Sequence, residues 1–174
     1  IGETTTMVLV PQVAQAVRIP VIAAGGIATG RGLVAALALG AQGIQMGTRF
    51  ICAEECVAHP RFKQRIVEAG DRATVVTGSP TGHPVRCLEN RLARQFLTLE
   101  KAGASQEDFE ALGSGKLYQG VIEGDTEEGS LMCGQIAGLV RDIKPAKNII
   151  EEVMAEAEAI IAQLAALPKG VARV

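Results

Sequence analysis

The sequence predicts an α/β protein built from parallel βα units, and three observations carry that reading. Apolar residues recur at helical spacing before and between two short apolar runs. Each run stops at a glycine cluster, Gly25-Gly26 after the first and Gly47 after the second. Helix, strand, helix and strand then alternate over short connections, the pattern of a parallel sheet covered by helices. A barrel and a doubly wound sheet both fit that alternation.

Thr4 to Thr6 precede apolar residues at Leu9, Val10, Val13, Ala16 and Val17, which share one helical face. Pro11 is read as part of the first turn of that helix, where its missing N–H costs nothing. Pro20 opens Val21-Ile22-Ala23-Ala24, read as a strand buried on both faces. Thr29 is placed to cap a second helix, with Leu33, Val34 and Leu37 on one face and Gly40 at its left-handed end. The second strand is Gly43-Ile44-Gln45-Met46-Gly47.

After Phe50 the alternation fades into helical segments, expected over Pro60 to Ala69 and Pro84 to Leu99. Between them lies the small and β-branched stretch Thr74 to Gly82. A glycine-rich passage from Gly113 to Gly138 leads to a last helix with Ile149, Ile150, Val153, Met154, Ala157, Ile160, Ile161 and Leu164 on one stripe. The tail from Pro168 is expected to fray. There is no internal repeat. The division that follows is 1–58 for the last βα units, 59–125 for an appended, mostly helical subdomain, and 126–174 for a glycine-rich loop and a helix packing back. The opening Ile1-Gly2-Glu3 lacks an initiator Met, as a piece of a longer chain would.

Composition narrows the function. Of 174 residues, 48% are hydrophobic and 21% charged, enough to bury one sizeable core. A net charge of −2, with one Tyr and four Phe, argues against nucleic acid as a partner. No apolar run approaches the roughly 18 to 20 residues that span a bilayer, and no signal segment opens the chain, so a cytoplasmic protein is expected. Cys52, Cys56, Cys87 and Cys133 form no C-x-x-C pair, so neither a metal site nor a disulfide is suggested and the thiols are read as buried or half-buried.

The two strand-end clusters are the strongest chemical signal. Ala24-Gly25-Gly26 and Gln45-Met46-Gly47-Thr48 are separated by a single helix. In (βα)8 barrels the loops after the seventh and eighth strands commonly form a phosphate site, because glycine lets backbone N–H groups approach the oxygens and a helix N-terminus adds partial positive charge. Glycine also simply ends strands, so each cluster alone would be punctuation. Arg49 is a candidate charge for the same site, or an ion-pair partner.

Ile19 to Ile27, Gly40 to Phe50, Gly82-His83-Pro84-Val85-Arg86, Gly124-Asp125 and Gly129 to Leu139 together resemble a flavin enzyme superfamily. It comprises the flavin-type (FabK type) enoyl-acyl carrier protein reductases and the nitronate monooxygenases, also called 2-nitropropane dioxygenases. The passage Gly129 to Leu139 looks more like the reductase branch. The resemblance implies the carboxy-terminal part of a (βα)8 TIM barrel with an appended helical subdomain. It also implies FMN, its phosphate on Gly25, Gly26, Gly47 and Thr48, with Ala24, Gln45 and Met46 beside it and Met132, Gly134 and Gln135 close to the flavin or substrate.

The implied activity is reduction of an enoyl thioester on acyl carrier protein in fatty acid synthesis, with NADH or NADPH as co-substrate. Nitronate oxidation is the alternative chemistry, a non-catalytic piece or subunit a reading of another class, and a phosphate-sugar barrel a third. The family's catalytic histidine lies in a Gly-Gly-His segment upstream of Ile1, so no catalytic residue is assigned. His59, before Pro60, is read as a surface residue, and His83 as a residue that could touch substrate. The last helix can pack on its own barrel or on a second copy as a homodimer.

Overall fold

The computed structural model describes residues 4–167. In chain order its elements are α1 (Thr6–Ala16), β1 (Ile22–Ala24), α2 (Gly30–Ala38), β2 (Gly43–Gln45), α3 (Thr48–Ile51), α4 (Pro60–Val67) and β3 (Thr74–Thr77). There follow β4 (Val85–Leu88), α5 (Arg91–Ala102), α6 (Gln106–Gly113), α7 (Lys116–Val121) and α8 (Ala146–Ala165), with short 3-10 turns at Ser79–Thr81 and Gln135–Leu139. The chain divides into two compact units, one of Gly47–Lys144 and one of Thr4–Met46 together with the segment from Pro145. The tail from Pro168 lies outside the described residues.

In the unit that holds the two parallel strands, β1 and β2 pair with Ile22 opposite Gly43 and Ala24 opposite Gln45. Only one face of β1 is buried. Ala23 is 1% exposed whereas Ile22 is 54% exposed, so the expectation of burial on both faces is corrected. Val10, Ala23, Ile27, Ala36 and Ala41 make the core under the strands. A two-stranded sheet offers few contact rows, and of the predicted α1 face only Val10 is buried, while Leu9, Val13 and Val17 are exposed.

Pro11 lies in the second turn of α1 and not the first, because the helix already begins at Thr6. Its missing N–H falls opposite the carbonyl of Met7, an exposed residue that water can reach.

Helix α2 starts as the sequence indicates, with the Thr29 hydroxyl accepting from Gly32 N at 3.3 Å, and ends in left-handed Gly40. Its buried positions are Gly30, Leu33 and Ala36, with Leu37 exposed. Helix α8 packs on α2 through Leu33, Val153 and Ala157. The approach is so close that a Cβ at Gly30 would lie 2.5 Å from Ala157 N and 2.6 Å from Val153 O. Gly30 N donates to Glu156 Oε2 at 2.7 Å in the same place. The α8 stripe is therefore split: Ile149, Val153 and Ala157 are buried, but Ile150, Met154, Ile161 and Leu164 are exposed.

The second unit corrects the sequence reading most. Pro84 to Leu99 is not one helix. Val85–Leu88 is a strand, antiparallel to Thr74–Thr77, with Thr74 opposite Leu88 and Thr77 opposite Val85. Helix α5 begins only at Arg91, where Asn90 Oδ1 accepts from Ala93 N at 2.9 Å. Pro84 looked like a first-turn helical proline, but it precedes a strand, where a missing donor is tolerated at the end of a ladder. Phe62, Ile66, Leu88, Leu131, Ala137 and Val140 build the core of this unit.

Candidate functional site

The residues singled out in the sequence fall into both units. Ala24, Gly25, Gly26, Gln45 and Met46 belong to the unit of β1 and β2, and Gly47, Thr48, Met132, Gly134 and Gln135 to the other.

In the first group, parallel pairing puts Ala24 and Gln45 side by side at the carboxyl ends of their strands. Gly25 and Gly26 follow with φ of +92° and +75°. That left-handed pair turns the chain sharply and is open to glycine at no steric cost. A Cβ at Gly26 would meet nothing within 4 Å, so its backbone faces open space, while the Gly25 carbonyl accepts from the Thr6 hydroxyl at 3.0 Å. Met46 differs from its neighbours, since its side chain packs against both apolar clusters of this unit.

In the second group, Gly47 is exposed, and a Cβ there would also meet nothing. Thr48 is buried, and its Oγ1 accepts from Gly134 N at 2.8 Å. That bond fixes one end of the loop Leu131–Gly134. Leu88 N donates to Leu131 O and Cys133 N to Arg86 O, so strand β4 holds the other side. Met132 is 38% exposed on this loop. Gln135 is exposed at the start of the following 3-10 turn.

Arg49 is not a free charge. Only 6% exposed, its guanidinium donates to Asp142 O at 2.9 Å and to Asp142 Oδ1 at 2.7 Å. Burial alone would raise the Asp142 carboxyl, but the Lys144 ammonium and the Arg49 guanidinium hold it below the usual carboxylate range. Lys63, also buried, donates to Ala53 O at 2.6 Å and Glu54 O at 3.3 Å and anchors the chain after α3. Both cations thereby position the segment that Thr48 opens.

Both histidines belong to the Gly47–Lys144 unit. His59 is half-buried and not on the surface: its Nδ1 accepts from Arg61 N at 3.1 Å, and a Cβ at Gly124 would run into its ring. His83 is exposed in the β3–β4 connection. Burial pushes the Cys133 thiol up to about 12 and Cys52 to about 11, and raises Cys87 as well, so these cysteines stay protonated at neutral pH. Among the described residues no group of His, Cys, Asp and Glu could hold a metal, and no helix is long and apolar enough to cross a membrane.

The sequence reading missed Asn90. Buried, it spends every polar atom: besides the cap, its Nδ2 donates to Thr126 O at 2.9 Å and Gly129 O at 2.8 Å, which holds the glycine-rich passage against α5. A signal was present, since an Asn followed by Leu92 and Ala93 is an N-cap pattern. Asp142, the partner of Arg49, carried no comparable signal.

The chain is 49% identical to the structure of FabK from Thermotoga maritima, with a TM-score of 0.91 over 95% of this chain and 52% of that one. It is 36% identical to a probable nitronate monooxygenase of Staphylococcus saprophyticus over 90% of this chain and 44% of the relative. A carboxyl-CoA dehydrogenase of Mycobacterium tuberculosis, whose named substrate carries a methyl-oxo-octahydroindene ring, is 35% identical over 90% of this chain and 55% of its own length. The chain thus spans about half the length of the relatives it matches. Residues 1–156 match the family model described as nitronate monooxygenase, and the chain belongs to that family.

Proposed function

We propose that this protein is an FMN-dependent oxidoreductase that reduces an α,β-unsaturated acyl thioester on a carrier protein with NADH or NADPH. The observation that carries the reading is the likeness to the FabK structure, at 49% identity with a TM-score of 0.91. The relative named as a carboxyl-CoA dehydrogenase supports a thioester substrate. The chain supplies βα units to a (βα)8 barrel in this reading, which the parallel pairing of β1 with β2 and the exposed apolar residues of α1 support.

Within each unit, taken by itself, the exposed glycine backbone leaves room for a phosphate oxygen. Exposed backbone at Gly25, Gly26 and Gly47, with no Cβ in the way, suits close approach of oxygens to N–H groups. When bound, FMN supplies the hydride chemistry. The protein's own part is to bind and orient. As the family resemblance implies, Gly26 and Gly47 would each offer backbone N–H to the phosphate. Thr48, tied to Gly134, would keep the Met132 loop fixed, and Met132 would present an apolar surface that keeps water out. No proton transfer is assigned to a residue of this chain.

The test is nicotinamide oxidation by the flavin-loaded protein with a crotonyl thioester. Absence of turnover with flavin bound would defeat the proposal. A second reading, favoured by the family model and by relatives named nitronate monooxygenase, is oxidation of an alkyl nitronate with dioxygen. Oxygen uptake with nitronate, and none with the thioester, would select it.

A further inference from the structure

In the Gly47–Lys144 unit, the β3–β4 hairpin, helices α5, α6 and α7, and the segment Ser130–Met132 line a cavity of about 230 Å3. Its buried lining includes Cys87, Leu92, Ala93, Phe109 and Leu131, and the Phe109 ring stacks on Phe96 with centroids 6.1 Å apart. The exposed lining residues His83, Gln106, Glu110, Leu117 and Met132 mark where it meets solvent.

The buried polar groups of the lining make bonds within the protein. Asn90 uses its carbonyl on α5 and its amide on Thr126 and Gly129, and the Cys87 thiol donates to Val75 O. A ligand in the buried part of this space therefore meets mainly apolar groups and no buried polar side-chain atom in want of a partner. An apolar cavity of about 150 Å3 accepts a benzene ring, so this one has room for roughly eight carbons. Met132 connects it to the loop that Gly134 fixes on Thr48.

We propose that this cavity receives the far end of the acyl chain of a thioester substrate, and that Ala93 and Leu117 limit the length accepted. The inference rests on the thioester reading above. It commits the cavity to an unbranched aliphatic tail, since the entrance at Met132 adjoins the loop assigned to the flavin and the buried part of the lining is chiefly apolar, with Gln106, Glu110 and His83 at the exposed rim.

The experiment is calorimetric binding of two saturated thioesters, S-butanoyl- and S-octanoyl-N-acetylcysteamine, to the whole flavin-loaded protein. Four additional methylenes, fully buried, strengthen binding by on the order of a hundredfold, and at least about tenfold in favour of octanoyl is expected after losses to ordering. Ala93→Leu fills buried space and should erase the preference while butanoyl binding persists. Leu117→Trp, at an exposed helical position, should do the same with no change in thermal unfolding, which guards against an Ala93→Leu variant that fails to fold. Equal affinities for the two thioesters, or an unchanged preference in the folded Leu117→Trp variant, would overturn the proposal. Because saturated thioesters accept no hydride, a length preference without turnover of the crotonyl thioester upholds the cavity and defeats the reductase reading. Turnover without a length preference does the reverse.

Discussion

Replacing Gly47 by Val separates cofactor binding from folding. Gly47 has φ of −94° and ψ of −71°, a conformation that any L-residue adopts, and a Cβ there would meet nothing within 4 Å. Two small terms then oppose each other in stability. Val removes unfolded-state entropy, stabilising by about 0.4 to 1 kcal/mol, and it is a poorer residue than Gly at a helix N-cap, costing about as much. The net change should stay within about 0.5 kcal/mol. The branched side chain, however, occupies the open space through which a phosphate would reach the backbone. Loss of one hydrogen bond to a charged group costs about 1.5 to 3 kcal/mol, so FMN affinity should fall roughly 10- to 150-fold. Flavin fluorescence titration reads the affinity and thermal unfolding of the flavin-free protein reads the fold. Gly26→Ala is the contrast, because φ of +75° adds roughly 1 to 2 kcal/mol of strain to any side chain and should weaken both. If Gly47→Val weakens folding as much as flavin binding, or leaves flavin binding intact, the phosphate assignment of this residue is wrong.

Gly30→Ala should destabilise by about 2 to 4 kcal/mol, since the new Cβ meets α8 backbone that can only move away and the Gly30–Glu156 bond is stretched with it; a melting temperature equal to the parent's would refute this. Asn90→Ala should cost about 3 to 5 kcal/mol, combining a lost cap with two carbonyls stripped of their donor. Asn90→Asp keeps the acceptor and loses the donors, so it should rescue little, and full rescue in denaturant unfolding would show that only the cap matters. Thiol ionisation should weaken the fold in alkali. Native Cys52 and Cys133 hold their protons to about 11 and about 12 against an ordinary 9.0, so their contribution is intact below about pH 9 and is lost as pH rises toward those values. Thiolate absorbance appearing at these two positions near pH 9 in the folded protein would contradict it. At the acid end the lowered Asp142 acts in the opposite sense: its contribution is present above the ordinary carboxylate range and is lost as pH falls through its depressed pKa, which an Asp142→Asn variant should show as a flatter acid limb in urea unfolding.

Several features were legible in the residues because they depend on neighbours a few positions away. Thr29 and Gly40 mark the two ends of α2, glycines stop β1, and the parallel pairing of β1 with β2 follows from a helix lying between them. The glycine clusters were likewise visible as a pattern. That Gly26 and Gly47 differ, one needing a left-handed backbone and the other an ordinary one, was not.

Tertiary structure decided the rest, for the reason that the deciding partner is distant in the chain. Val85 to Leu88 carries apolar residues that serve a helix or a strand, and only pairing with Thr74–Thr77 makes it a strand. Arg49 was a charge without an address until Asp142, far along the chain, enclosed it. Gly30 carries no local signal for its role as the point at which two helix backbones meet. Local sequence determines where an element begins and stops, because caps and turns are satisfied within one turn of chain. Which face of that element is buried, and which charge is neutralised, is set by surfaces that meet only after the chain has folded.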